Sequence, residues 1–251
     1  MPSWDFQRAV AAVILGVTHE DGFALAGSGA IREHGLTDRP TQDVDLFTMN
    51  ITEARFADAV DHAMAALSEH GYDASRTRSA PLFARLIVTR GDEQLEVDLG
   101  VDWRGHDPIR FDIGPVLAID DAVANKVGAV YSRAAARDFL DVDSIRQSDR
   151  FTDPELLRLA AEHDPGFDNA TFADQLALVS TVGSGSVADY GITPESLDGI
   201  KNRLLAWRDR IVNNLMSRPN HDVWETIEHR PVHRPDPPGH HRRPPDRGVP
   251  I

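Results

Sequence analysis

The sequence predicts an α/β (α+β) fold, with a mixed β-sheet and helices first, a helical domain second and a disordered tail last. Three observations lead to this prediction. Helical and strand-like patterns alternate up to about residue 115, as in domains that pack helices against a sheet. Beyond Pro115 the apolar residues recur only at helical spacing. From residue 218 onward the composition changes, because this segment holds 8 of the 16 prolines and 5 of the 11 histidines.

These observations place boundaries near residues 115 and 217. We predict an α/β domain over residues 1–115, a helical domain over 116–217 and a Pro-, His- and Arg-rich tail over 218–251. Proline at this density removes backbone hydrogen-bond donors and leaves little apolar surface to pack, so we expect the tail to be disordered. A cleft between the first two domains is the default place for a ligand.

The first domain alternates helices and strands, and its elements are bounded by turn residues. The strand at 43–47 alternates polar and apolar residues, which is typical of a half-buried strand. The helix at 53–70 places its large apolar residues on one face. The predicted order is helix 6–17, strand 23–26, turn 27–29, helix 30–34, strand 43–47, helix 53–70, and strands 72–78, 82–90 and 94–101, the last two forming a hairpin.

The second domain is predicted to be entirely helical. Its periodic segments are separated by short polar or glycine-containing stretches. The predicted helices are 119–132, 135–147, 154–163, 172–179 and 194–216.

Composition excludes several classes of protein. There is no cysteine, which excludes disulfide scaffolds, thiol catalysis and cysteine-ligated zinc. No apolar run of 18 residues and no basic leader are present, so we expect neither a membrane span nor a secretory signal, and a cytoplasmic location. The 40 acidic and 26 basic residues give a net charge of -14, which argues against binding nucleic acid through a global positive field.

Two carboxylates on the predicted strand at 43–47 form the strongest candidate site. Asp43 and Asp45 are two residues apart, so their side chains point to the same face of the strand. Carboxylates aimed at one point repel each other and favour a cation, and Mg²⁺ prefers oxygen ligands. Gly27 and Ser28 precede them where a strand gives way to a helix, a place where backbone amides and a hydroxyl can hold a phosphate.

A third acid is offered by Asp98 on another predicted strand. It is flanked by Val97 and Leu99, which are expected to face the core. Three carboxylates on adjacent strands could hold two metal ions that clamp a phosphoryl group. We therefore predict nucleotidyl transfer from an NTP, with Asp43, Asp45 and Asp98 as metal ligands, one of them helping to deprotonate the acceptor hydroxyl.

Basic residues further along the chain complete the predicted site. Only two of the 26 basic residues are lysines, and one of them, Lys126, lies on a predicted helix with Arg133 two turns further on. Both side chains suit a triphosphate. Asp138 and Asp141 share a helix face, so one of them could orient Lys126 or Arg133 while the other caps the helix or faces solvent.

Four arginines on the predicted strands suggest where a polynucleotide could run. They form a local basic strip, although solvated strand charges explain them nearly as well. The strip consists of Arg76, Arg78, Arg85 and Arg90.

Two blocks of the sequence resemble the AbiEii/AbiGii nucleotidyltransferase toxins of the DNA polymerase β-like superfamily, which include the MenT toxins. The first block is LAGSGAI at 25–31 followed by RPTQDVDLF at 39–47, and the second is NKVGAVYSR at 125–133 followed by ARDFLDV at 136–142. Gly29 departs from the family pattern, which has a serine or threonine after Ser28.

The resemblance implies a magnesium-dependent enzyme with an NTP as co-substrate and possible partners in a cognate antitoxin and the 3′ end of tRNA. The implied catalytic residues are Asp43, Asp45, Asp98, Lys126 and Asp138, and the implied triphosphate-binding residues are Gly27, Ser28, Lys126 and Arg133.

Two alternatives remain open from the sequence. The first is a small-molecule adenylyltransferase, since the negative charge suits a cationic acceptor such as an aminoglycoside. The second is a catalytically silent module that binds nucleotide without turnover.

Overall fold

A seven-stranded mixed sheet forms the centre of the protein, whose computed structural model describes residues 1–217. The parallel pairs are β2 with β5 and β1 with β7, and the other neighbours are antiparallel. Across the sheet the strands follow the order β3 (Asp73–Ala80), β4 (Phe83–Arg90), β5 (Glu93–Val101), β2 (Asp43–Thr48), β1 (Ala24–Leu25), β7 (Gly114–Val116) and β6 (Ile109–Phe111). The predicted α/β (α+β) class is confirmed.

Eight α-helices accompany the sheet within residues 1–217. The first three are interleaved with the strands, and the other five follow the last strand. They are α1 (Trp4–Thr18), α2 (Gly27–Glu33), α3 (Glu53–Glu69), α4 (Ile119–Ser132), α5 (Ala136–Gln147), α6 (Asp153–His163), α7 (Asn169–Ala177) and α8 (Pro194–Met216). The helices α1 and α3 pack together, whereas α4 contacts α2, α5, α6 and α7. Within residues 1–217, no helix is long and apolar enough to cross a membrane.

The apolar alternation of the central strands fixes which face of the sheet is buried. On β2, Val44 and Leu46 are buried, while Asp43 and Asp45 are only partly buried. The neighbouring strand β5 repeats the pattern. The carboxylates of both strands therefore project from the face opposite the apolar core, as the sequence predicted.

Two local features differ from the sequence prediction. Residues 27–29 form the first turn of α2 instead of a turn before it, and Gly27, where the chain enters the helix, has a φ of +57°. The β6–β7 hairpin was not predicted, because strands of three residues are too short to show a period.

The predicted domain limits lie near residues 115 and 217. Residue 115 lies within β7, where Val116 pairs with Leu25 of β1, and Met1–Met216 forms one compact unit. A domain boundary near residue 115 stays a prediction. The tail predicted over 218–251 lies outside the described residues.

Candidate active site

The parallel pairing of β2 with β5 brings the predicted carboxylates together. The register places Asp45 opposite Asp98 and Asp43 opposite Glu96. Side chains opposite each other on adjacent strands project from the same face. Four carboxylates therefore lie in two neighbouring rows. The hydroxyl of Thr41 donates a hydrogen bond of 2.8 Å to Asp43 Oδ1 and fixes that side chain.

Crowding makes Asp45 the most perturbed of these acids. Burial, together with the negative charges of Asp43 and Asp98, raises the pKa of Asp45 to about 7, although Lys126 acts in the opposite direction. A raised carboxyl pKa means that the surroundings disfavour its negative charge. A bound cation would remove that penalty, so the donor set of Asp43 and Asp45 fits a hard divalent ion such as Mg²⁺.

The first residue of α2 lies directly against Asp45. The backbone N–H of Ala26 donates to the carbonyl oxygen of Asp45 at 2.8 Å. A Cβ added to Gly27 would lie 1.8 Å from Asp45 Oδ2. Gly27 is thus required twice, by its positive φ and by the close approach of the carboxylate.

A buried polar network lies behind Gly27. The Ser28 hydroxyl accepts hydrogen bonds from Lys126 Nζ (2.9 Å) and Arg39 Nη2 (2.7 Å), and donates to Asp141 Oδ2 (3.1 Å). Lys126 Nζ also lies 2.8 Å from Asp141 Oδ2. The Arg39 guanidinium binds both oxygens of Asp141, at 2.7 and 2.8 Å. Ser28 and Lys126 therefore belong to one cluster.

Charge balance explains why this network tolerates burial. The Asp141 side chain has no solvent exposure and that of Arg39 has 7%. Burial opposes ionisation, but Lys126 and Arg39 outweigh it and hold the pKa of Asp141 below its usual value. One carboxylate shared by two cations leaves the cluster with one excess positive charge. Such a cluster is suited to an anionic ligand.

The second predicted basic residue, Arg133, is held by Asp138. The guanidinium donates to both carboxylate oxygens, at 2.9 and 2.8 Å. Asp138 also accepts a 3.0 Å hydrogen bond from the backbone N–H of Ala135, the residue before α5. Asp138 thus caps the helix and orients Arg133, while Asp141 orients Lys126, and neither acid faces solvent.

The third predicted metal ligand, Asp98, is engaged by an arginine. Arg85 Nε and Nη2 donate to its two oxygens at 2.7 and 2.6 Å. Arg137 Nη1 lies 3.8 Å from Asp43 Oδ2. Among residues 1–217, no three acidic or histidine side chains are already grouped closely enough to hold a metal ion. Asp43 and Asp45 are therefore the better-prepared ligands.

The predicted basic strip is only partly present. Arg76 pairs with Asp61 of α3, and Arg90 stacks on the rings of Tyr72 and Phe6, so both contact the layer that carries α1 and α3. The bulge between Arg76 and Arg78 turns β3, so that Arg78 lies opposite Arg85. Only Arg78 and Arg85 share the face of the carboxylates.

Sequence reasoning overlooked the contributions of two arginines. Arg39 belongs to the RPTQDVDLF block, but the sequence alone gave it no role. Its partner Asp141 is 102 residues away, and Arg85 finds Asp98 only through the β4–β5 register. An arginine four residues before a D-x-D is the one local signal that could have indicated the first of these.

A match to a protein-family model identifies the family of this chain. The model of the family "Nucleotidyl transferase AbiEii toxin, Type IV TA system" matches residues 8–203. The chain belongs to this AbiEii family. It is a nucleotidyltransferase of that toxin family, in agreement with the resemblance seen in the sequence. No curated protein matches it significantly.

Solved structures of two bacterial proteins share this fold. JHP933 from Helicobacter pylori has 15% sequence identity and a TM-score of 0.54, with 86% of this chain and 95% of that chain covered. MenT4, a nucleotidyltransferase toxin from Mycobacterium tuberculosis H37Rv, has 14% identity and a TM-score of 0.54, with 81% and 82% covered. At these identities the likeness supports the AbiEii fold alone.

Proposed function

We propose that this AbiEii nucleotidyltransferase transfers a nucleoside monophosphate from an NTP to the 3′ end of tRNA in a magnesium-dependent reaction. It would act as the toxin of a bacterial toxin–antitoxin or phage-defence pair with a cognate antitoxin. The observation that carries the proposal is the convergence of Asp43, Asp45 and Asp98 beside Gly27 and the Ser28–Lys126 cluster. The cytoplasmic location expected from the sequence stays a prediction.

The roles of the residues follow from their positions. Asp43 and Asp45 hold the metal, with Asp98 as a third ligand or base. Bound Mg²⁺ would offset the charge of the triphosphate and of the leaving group. Lys126 and Arg133 contact the phosphates as cations, and are oriented for this by Asp141 and Asp138.

The chemical step is a displacement at phosphorus. The acceptor hydroxyl oxygen forms a bond to the α-phosphorus, and the bond between that phosphorus and the oxygen bridging to the β-phosphorus breaks. The hydroxyl proton passes to Asp98, and pyrophosphate leaves with the electron pair of the broken bond. Lys126 and the amide of Ser28 stabilise the charge that remains on the phosphates.

The tRNA acceptor is supported by the resemblance to the MenT toxins and by two arginines. Arg78 and Arg85 lie on the carboxylate face, where they would contact a phosphate backbone locally. With a net charge of -14, local contacts of this kind are the available means of holding RNA.

A second acceptor class is favoured by the cleft beside Asp43. The residues that line this cleft of about 520 Å³ include Asp43, Glu96, Asp189 and Arg137. Three carboxylates against one arginine suit a small cationic acceptor such as an aminoglycoside.

One experiment separates these acceptors. The full chain is incubated with Mg²⁺, each of the four α-labelled NTPs, and either total tRNA or a panel of aminoglycosides. We expect label in tRNA, and growth arrest on expression that a neighbouring gene product relieves. Label in an aminoglycoside alone would establish the second candidate, and nucleotide binding without transfer to any acceptor would indicate a silent module.

A further inference from the structure

Arg85 forms an ion pair with Asp98, a carboxylate that the proposed reaction requires. The side chain projects from β4 towards β5, where it binds both oxygens of Asp98 and, through Nη1, Glu96 Oε1 at 2.9 Å. Hydrogen bonding to Asp98 raises the pKa of Arg85 further above its normal value, so the guanidinium is permanently charged. Asp98 thus has a resident countercation before any metal arrives.

The strand register makes this pairing a fixed property of the sheet. Asp45 lies opposite Asp98, Asp98 opposite Arg85, and Arg85 opposite Arg78. Two acids are thus followed by two arginines in one straight row across β2, β5, β4 and β3. The register of the β4–β5 hairpin places Arg85 opposite Asp98, so the Arg85 side chain can leave Asp98 only by changing its rotamer.

A metal ion and Arg85 compete for Asp98. Mg²⁺ binds carboxylate oxygens at about 2.0–2.1 Å, so an ion of this kind on Asp98 would be close to the Arg85 guanidinium. Two cations that close repel strongly in a site where Asp98 is only 13% exposed. Arg85 Nε and Nη2 each donate to one oxygen of Asp98, and this pair of hydrogen bonds orients the carboxylate towards β4.

We propose that Arg85 is a positioning residue that neutralises Asp98 in the metal-free enzyme and must release it before Asp98 joins Asp43 and Asp45 at the metal. This inference rests on the proposed function, because it assumes a divalent ion at the acids. Glu96 is the receiving group: it already contacts Arg85, and 33% exposure leaves the Arg85 side chain room to move. The first metal contacts are made by Asp43 and Asp45.

The test measures Mn²⁺ binding to the full chain by electron paramagnetic resonance, without nucleotide or acceptor. Arg85→Met should bind Mn²⁺ on the order of tenfold more tightly than the wild type, because Asp98 becomes available. Arg78→Met is the matched control: it removes the same charge from the next strand, where the side chain stacks over Phe83 and lies one strand further from Asp98. It should change the affinity by no more than about twofold.

Two further variants complete the test. In an Asp98→Asn background, Arg85→Met should have no effect, because the contested carboxylate is gone. If Arg85→Met does not fold, Arg85→Gln, which keeps a hydrogen-bonding side chain without the charge, replaces it with the same expected results. Thermal unfolding monitored by circular dichroism checks the fold of each variant.

The possible outcomes distinguish this inference from the proposed function. Unchanged or weaker Mn²⁺ binding in Arg85→Met, or equal gains in Arg85→Met and Arg78→Met, would overturn the role of Arg85. If the wild type binds Mn²⁺ and Arg85→Met binds it more tightly, but the wild type transfers no nucleotide, the role of Arg85 is retained and the transfer reaction is refuted. Absence of Mn²⁺ binding in every variant overturns both.

Discussion

Lys126 Nζ donates a hydrogen bond to Ser28 Oγ at 2.9 Å across 98 residues of sequence. This contact joins the first turn of α2 to α4 and turns two separate sequence blocks into one site. Asp141 accepts from both groups and Arg39 holds Asp141 from its other side, so the lysine is fixed in position beside Gly27 and Asp45.

Removing this lysine should strongly impair transfer. Lys126→Ala is expected to lower kcat/KM for the NTP by about 100-fold or more, because the phosphates lose their buried cation. Steady-state kinetics with varied NTP measure this. The other lysine provides a matched control, since Lys201 on α8 lies outside the network, and Lys201→Ala should stay within about twofold of the wild type. Equal effects of the two changes would contradict the assignment.

Arg39 should contribute to both stability and nucleotide affinity. Arg39→Ala leaves Asp141 buried with Lys126 as its one cation, which is expected to cost about 3 kcal/mol in the free energy of unfolding. The KM for the NTP should rise more than kcat falls, because Asp141 then neutralises Lys126. Arg39→Lys keeps a positive charge and should therefore restore part of the free energy of unfolding and part of the affinity for the NTP.

A surface arginine provides the comparison for that prediction. Arg158 pairs with Glu162 on the exposed face of α6, and Arg158→Ala should leave the free energy of unfolding unchanged within the error of the measurement. Urea denaturation of the variants is the measurement. If both arginine variants lose the same small amount, the buried network does not stabilise the fold as described.

The close approach of Gly27 to Asp45 predicts a large effect from one methyl group. Gly27→Ala introduces a Cβ that would lie 1.8 Å from Asp45 Oδ2 at a backbone φ of +57°, so Asp45 must move. Activity should fall by about 100-fold, and Mn²⁺ binding should weaken. Gly128→Ala in α4 meets no atom within 4 Å outside its own helix and should stabilise the protein by about 0.5–1 kcal/mol while retaining activity.

The crowded acids predict a trade-off between stability and function at Asp45. Asp45→Asn removes a charge that is disfavoured by burial and by Asp43 and Asp98. In metal-free buffer above pH 7, where the wild-type Asp45 carboxyl is ionised, the variant should be more stable than the wild type by about 1–2 kcal/mol, and it should be inactive with Mg²⁺. Urea denaturation in the presence of a chelator measures the gain; a loss of stability would mean that the carboxylate makes a favourable structural contact.

Much of this arrangement could be predicted because its signals are local. The alternation around Asp43 and Asp45 predicted β2 and its polar face, and helical spacing predicted the bounds of the helix that carries Lys126. The side-chain partners could not be predicted in this way. Asp141 and Arg39 are 102 residues apart, and Arg85 meets Asp98 through strand register, which no local period determines. Sequence thus indicated the chemical groups, whereas tertiary structure determined which of them are paired.

The central claim is nucleotidyl transfer at Asp43 and Asp45, and the most direct test compares two labels on the same NTP. With Mg²⁺ and total tRNA, label from the α-phosphate should appear in the acceptor and label from the γ-phosphate should appear in pyrophosphate. Asp45→Asn should abolish both signals, and Asp174→Asn, at an exposed position of α7, should leave them intact. Transfer of the γ-label to the acceptor, or undiminished transfer by Asp45→Asn, would contradict the account.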